Sequence, residues 1–171
     1  RESVFKRQLR DQYVITAVDF RLSRKPQVHV HYPALKQAVT EQATPQEVFS
    51  AVCDIRAAKL PAPSDIPNAG SFFKNPVVSD AQFRQLEQAH EGVVGFAVEG
   101  GIKLAAAWLI DTAGWKSRPM DGVAVHQNQA LVVINPHHRS GASVLQFAYS
   151  IQQDIRQQFG VELEIEPRIV C

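Results

Sequence analysis

Tyr13-Val14-Ile15-Thr16-Ala17-Val18-Asp19-Phe20-Arg21-Leu22 is rich in β-branched and aromatic residues. Val14, Thr16, Val18 and Phe20 fall on one side of the alternation and Ile15, Ala17, Asp19 and Arg21 on the other, which predicts a strand. Lys25-Pro26 marks a turn, and Gln27 to Tyr32 (QVHVHY) predicts a second strand, so the two read as an antiparallel hairpin. Adjacent strands followed by helices argue an α+β fold rather than a doubly wound sheet.

Outward from the hairpin, Pro33 to Val39 predicts one or two helical turns. Thr44-Pro45-Gln46-Glu47 combines a cap, a proline at the first helical position and a capping-box glutamate. The helix it starts carries Val48, Phe49, Val52 and Ile55 at helical spacing and ends near Lys59. Leu60 to Asn68 holds three prolines and reads as a hinge. A second unit follows. Ser79 to His90 opens on another box, Ser79 with Gln82. Lys103 to Thr112 predicts a helix stopped by Gly114, and Gly100-Gly101 a turn. Val123 to Val125 and Ala130 to Asn135 predict short strands. Ser140 to Phe159 predicts a long helix, capped by Ser140 or Ser143, stopped by Gly160, with Gln152, Gln153, Arg156 and Gln157 facing water. Val161 to Val170 predicts an extended close. Trp108 and Trp115, with Leu104 and Ile110, are expected in the core.

The 171 residues are 45% hydrophobic and 20% charged with net charge +1, an ordinary composition for one domain or two small ones. The balance leaves no electrostatic footprint for nucleic acid or an anionic membrane. No apolar run approaches the roughly 18 residues needed to span a bilayer, and no signal peptide is visible. Cys53 and Cys171 fit no metal or redox spacing; Cys53, in a helical pattern, is expected as a buried thiol in a reducing, cytoplasmic compartment. The opening Arg1-Glu2-Ser3-Val4-Phe5-Lys6 has no methionine and reads like the middle of a longer protein.

The polar stretch Asn68-Ala69-Gly70-Ser71-Phe72-Phe73-Lys74-Asn75-Pro76 is the candidate site. Gly70 permits a positive φ or a close approach, and Pro76 pushes Asn75 toward extended backbone. A loop fixed in this way presents Ser71, Lys74 and Asn75 to a ligand. Arg1, Tyr32, Lys59, Lys74, Asn75 and Gln129 suit an anionic, nucleotide-like ligand, lysine as a point charge and arginine as a bidentate fork. His29 and His31 share a strand face without a third ligand, so no metal is expected. His137 and His138 sit in a turn, and His126 precedes a Gln-Asn-Gln loop. Glu162, Glu164 and Glu166 alternate with Leu163 and Ile165, which reads either as a solvated acidic face or, at Glu166, as an acid or electrostatic group held protonated by an apolar pocket. There is no GxGxxG turn, no P-loop and no nucleophile elbow.

The serine loop resembles the catalytic loop of the UDP-N-acetylenolpyruvoylglucosamine reductase (MurB) family of flavoenzymes. Arg1-Glu2-Ser3-Val4-Phe5-Lys6 resembles that family's R-(D/E)-S-x-F-K segment, and Lys59-Leu60-Pro61-Ala62-Pro63 its K-L-P-x-P stretch. Ala106-Ala107-Trp108-Leu109-Ile110-Asp111 is similar to its A-(A/G)-W-L-I-(D/E) helix. Val125-His126-Gln127-Asn128-Gln129-Ala130-Leu131 through Asn135 is similar to its V-H-x-x-Q-A-L…N segment. Leu163-Glu164-Ile165-Glu166-Pro167-Arg168 resembles its L-E-x-E-V-R strand, with Pro167 in place of valine.

The resemblance implies reduction of an enolpyruvyl ether on a UDP-sugar to UDP-N-acetylmuramate for peptidoglycan, with NADPH reducing FAD and hydride passing to C3 of the enolpyruvyl group. It implies Ser71 as proton donor to C2, with Arg1 and Glu166 stabilising an enolate-like intermediate. Tyr32, Lys59, Asn75 and Gln129 would hold the uridine diphosphate part. Serine is a weak acid, so its alkoxide would need Lys74 or an ordered water. The family's N-terminal half, with most of the FAD site, has no counterpart here. Residues 1–60 are then expected as the end of an FAD-binding α+β domain, 61–158 as a small α+β substrate-binding domain, and 159–171 as a strand returning to the FAD-binding region. The missing half is the implied partner, and the chain alone is expected to be inactive. The competing readings are a non-catalytic UDP-sugar-binding module and a structural α+β domain.

Overall fold

The computed structural model describes residues 3–170. The chain divides into two compact units, residues 1–50 and 51–171.

In the first unit, Ser3 accepts a hydrogen bond from Phe5 N (3.2 Å) at the head of a 3-10 turn over Val4–Lys6. The expected hairpin is not formed: neither 13–22 nor 27–32 is a strand. Val14, Phe20 and Leu22 are 80% exposed or more. A two-stranded ribbon is marginal in water without a third strand or a helix to cover its apolar face. Val30 and Leu35 are buried, and Leu35 lies on α1 (Pro33–Ala38), which has proline at its start.

Helix α2 (Pro45–Lys59) runs across the division between the units. Its capping box forms as the sequence predicts: Thr44 N donates to Glu47 Oε2 (2.7 Å) and Glu47 N donates to Thr44 Oγ1 (3.3 Å). Its apolar stripe is another matter. No residue of α2 is buried, Phe49 and Val52 are exposed, and Cys53 is an exposed thiol rather than a buried one. Capping and helix propensity specify the helix, but a stripe is buried only where another element covers it.

The second unit is built from β1 (Asn68–Ser71), β2 (Val77–Val78), α3 (Asp80–Ala89), β3 (Gly95–Val98), β4 (Gly101–Leu104), α4 (Ala106–Thr112), β5 (Ala124–His126), β6 (Gln129–Ile134) and α5 (Gly141–Phe159). Two antiparallel three-stranded sheets, ordered β1-β6-β5 and β2-β4-β3, give the α+β class. The helix expected over 103–112 is in fact a strand and then a helix. Leu104 N donates to Pro76 O (2.8 Å) and Ala105 N to Val94 O (2.9 Å), so those backbone groups are already committed when α4 begins. The β3–β4 hairpin turns at Gly100-Gly101; at Gly101 (φ +142°) a Cβ would lie 2.2 Å from Val78 O, so only glycine fits.

Ser79 caps α3 by accepting from Gln82 N (3.2 Å), but the box is not reciprocal, because Gln82 Nε2 donates to Gly160 O (2.9 Å). Ser140 caps α5, accepting from Ser143 N (3.1 Å), and Gly160 ends it at φ 64°. The core gathers Leu109 and Ile110 of α4, Phe147, Ile151 and Ile155 of α5, and Val123, Val125, Val161 and Leu163, all buried. Trp115 is buried and Trp108 packs on the same core. Gln152 leaves the expected wet face of α5: half-buried, it donates to Leu163 O (2.6 Å) and fastens the last segment. Among the described residues no helix is long and apolar enough to cross a membrane.

Candidate functional site

The site grows from the end of β1. Asn68 Nδ2 donates to Ile66 O (2.8 Å) and Pro61 O (3.3 Å), while its Oδ1 accepts from Gly70 N (2.9 Å). One amide side chain therefore ties the proline-rich approach to the turn before Ser71. Gly70 has φ +72°, and the space where its Cβ would stand is empty to 4 Å. On the other side, Phe72 and Phe73 are buried with rings edge-on at 5.6 Å, and Phe72 N donates to Leu131 O (2.7 Å). Ser71, exposed and opposite Val132 of β6, is held between these two anchors.

The last segment runs antiparallel alongside. Phe73 bridges Ile165, Lys74 N donates to Glu164 O (2.8 Å) and Glu166 N donates to Phe72 O (2.9 Å). Glu166 thus lies across from the residue after Ser71, and the fold brings these two predicted residues onto neighbouring backbone. Glu166 is exposed, so the apolar pocket expected around its carboxyl is not formed by the described residues. Lys74 forms an ion pair with Glu164, a residue the sequence reading left on a solvated face. Both partners are substantially exposed, which limits the pair to about 0–1 kcal/mol.

Asn75 is half-buried, and its Oδ1 accepts from Ala106 N (3.0 Å). It therefore supplies the cap that Ala105 cannot give α4. Gln129 opens β6 and is half-buried, with Oε1 accepting from Leu131 N (3.4 Å). Across the two-residue turn Gln127-Asn128, His126 pairs with Gln129, and Gln127 Nε2 pins the turn to Lys116 O (2.6 Å). Because β6 is antiparallel to both neighbours, its start lies at the same sheet end as the ends of β1 and β5. Ser71, His126 and Gln129 share that end. Lys59 is the exposed last residue of α2. Tyr32, exposed, precedes α1 in the first unit, and Arg1 lies outside the described residues.

Asn68 and Glu164 are the positioning residues that sequence reasoning missed. Asn68 carried a signal, an asparagine two residues before a glycine, which is an Asx-turn pattern. Glu164 carried none, because its partner is 90 residues away. The space over the Gly70 Cβ position is open and Ser71 beside it is exposed, so this stretch of backbone is accessible to a bound group. No glycine-rich dinucleotide turn accompanies it in the sequence.

Residues 62–170 match the family model described as UDP-N-acetylenolpyruvoylglucosamine reductase, C-terminal domain. Curated relatives with the name UDP-N-acetylenolpyruvoylglucosamine reductase include one from Paraburkholderia xenovorans (strain LB400), 48% identical over all of this chain and 51% of the relative. Another, from Burkholderia ambifaria (strain MC40-6), is 48% identical over all of this chain and 50% of the relative. A third, from Shewanella sp. (strain ANA-3), is 45% identical over 99% of this chain and 50% of the relative. The chain spans about half the length of the curated relatives it matches.

Proposed function

The chain belongs to the UDP-N-acetylenolpyruvoylglucosamine reductase family, and from that premise we propose that it forms the substrate-handling part of an NADPH-dependent flavin reductase that makes UDP-N-acetylmuramate for peptidoglycan. The observation that carries this reading is Ser71: an exposed hydroxyl at a strand end, fixed by Asn68 and Phe72, with open space over Gly70.

A bound flavin, reduced by NADPH, would supply the hydride that reaches C3 of the enolpyruvyl group. As that bond forms, negative charge builds toward the enolpyruvyl carboxylate, and C2 must take a proton. Ser71 Oγ holds that proton, gives it to C2 and regains one from solvent. Its rigid placement avoids the cost of orienting a mobile donor at the moment of reaction. Glu166, on the neighbouring segment, and Arg1 act on the developing charge. Lys74 is held by Glu164, so the alkoxide is stabilised by an ordered water or by a change of partner at Lys74. Tyr32, Lys59, Asn75 and Gln129 hold the uridine diphosphate part. Catalysis belongs to the complete protein, and this chain by itself is expected to turn over no substrate.

The test is Ser71→Ala in a complete reductase that carries this chain as its C-terminal half. Flavin reduction by NADPH and UDP-sugar binding should persist, while reoxidation of the reduced flavin by the UDP-sugar slows by about 10²–10⁴-fold, the usual worth of a positioned general acid. An unchanged reoxidation rate would remove Ser71 from the chemistry. Tight UDP-sugar binding with no reoxidation by the unsubstituted protein would favour a non-catalytic binding module.

A further inference from the structure

One polar atom in the second unit is out of place. His126 Nδ1 is buried and has no hydrogen-bond partner among the described residues, and it is the one side-chain nitrogen or oxygen there in that condition. Leaving such an atom unpaired costs about 1–3 kcal/mol, which a fold retains only where something repays it. His126 ends β5, at the sheet end that carries Ser71, and directly faces Gln129 across the turn. The β5–β6 register shifts between Val125 and His126, so His126 and Gln129 close the turn as a pair set apart from the regular ladder above them.

Two facts narrow what this nitrogen does. Being buried, it is not a surface that an incoming ligand touches first, and a neighbouring side chain that shifts is placed to reach it. The neighbour across the turn is Gln129, whose Oε1 accepts from Leu131 N at a long 3.4 Å, an attachment weak enough to adjust. With Oε1 turned toward Leu131 N, the NH₂ end of the carboxamide is the one turned toward other acceptors.

We propose that His126 is a positioning residue for Gln129: when the UDP-sugar binds, Nδ1 of the imidazole accepts one N–H of the Gln129 carboxamide and aims the other at the anionic part of the ligand. The inference rests on the reading of Gln129 as a substrate contact. It assigns His126 no contact with the reacting atoms and no proton transfer. The cost of the orphan nitrogen in the unliganded protein is recovered in the liganded state, so the effect falls on affinity.

The replacement chemistry distinguishes this role from simple packing. Asparagine places a polar side-chain atom near the Nδ1 position, glutamine near the Nε2 position, and phenylalanine keeps the shape without either nitrogen. In a complete reductase that carries this chain, His126→Phe and His126→Gln should raise KM for the UDP-sugar about tenfold, with kcat within about threefold and flavin reduction by NADPH unchanged. His126→Asn should restore KM to near the unsubstituted value. In the background of Gln129→Ala, His126→Phe should add nothing further, since coupled residues are not additive.

The outcomes separate the layers of the argument. If Gln129→Ala leaves KM unchanged, the reading of Gln129 as a substrate contact fails and the inference goes with it. If Gln129→Ala raises KM but His126→Phe does not, or if the double variant is worse than either single one, Gln129 keeps its role and the positioning inference is overturned. Should the phenylalanine variant not fold, the contrast of asparagine with glutamine decides alone: equal KM values would overturn the inference.

Discussion

Asn75 shows how one side chain can stand between structure and ligand. Read from the sequence as a diphosphate contact, it spends its carbonyl on the first turn of α4. The two roles use different ends of the amide and make separable predictions. Asn75→Ala removes an acceptor at a helix start, which costs about 1 kcal/mol of stability. Asn75→Asp keeps the acceptor and adds a negative charge that the helix N-terminus tolerates, so the fold should lose little. The same charge repels a diphosphate, so KM for the UDP-sugar should rise by an order of magnitude or more if Asn75 also meets the ligand. Thermal melts and steady-state kinetics on the pair of variants decide it: an Asp variant with both normal stability and normal KM would confine Asn75 to capping. This duality could not be read from the sequence, because the donor it serves lies 31 residues further on.

Elements whose signals are local were legible, and those set by distant partners were not. Thr44 with Glu47, Ser140 and Gly160 bound their helices where the sequence placed them. The short strands β1, inside the serine loop, and β2, just after it, were hidden, because strands of four and two residues exist only through pairing with β6 and β4. The α4–α5 region adds a charge cluster that was equally invisible. Trp115 Nε1 (2.8 Å) and Arg118 (2.9 Å) both donate to Asp154 Oδ2, Gln158 donates to Oδ1 (2.8 Å), and the Arg118 guanidinium stacks over the Trp115 ring at 4.4 Å. Partial burial works against the ionised form of Asp154, but the hydrogen bonds from Gln158, Trp115 and Arg118 and the Arg118 charge outweigh it, holding the carboxyl below its ordinary value of 3.8. A lowered folded pKa gives stability that is present above the unfolded value and is lost as pH falls through the folded one. Asp154→Asn should therefore cost about 2 kcal/mol in denaturant melts at neutral pH. That difference should shrink as pH falls below 3.8 and through the lowered folded value, where the native carboxyl itself takes up a proton. A pH-independent difference would show that the charge of Asp154 contributes nothing.

At the scale of the whole molecule, the second unit has a closed core and the first does not. Residues 51–171 bury a continuous set of side chains from α4, α5 and both sheets. In residues 3–50 the buried hydrophobics are Val30 and Leu35, while Tyr13, Val14, Ile15, Val18, Phe20 and Leu22 are all exposed. The alternation that predicted a strand at 13–22 is still present in the sequence; among the described residues no neighbouring strand turns the pattern into a ladder. A segment so apolar and so regular is suited to pairing with a sheet edge, and the relatives, twice the length of this chain, contain further sequence that could provide one. Limited proteolysis tests this directly. In the isolated chain, trypsin should cut first after Arg21 and Arg24, where no strand protects the backbone, and leave residues 51–171 largely intact. In a complete reductase carrying the chain, those same bonds should become resistant, because a paired strand cannot enter a protease cleft without local unfolding. Equal cleavage rates in the two proteins would mean that the alternating face stays uncovered in the complete enzyme, and that its pattern reflects something other than a buried strand.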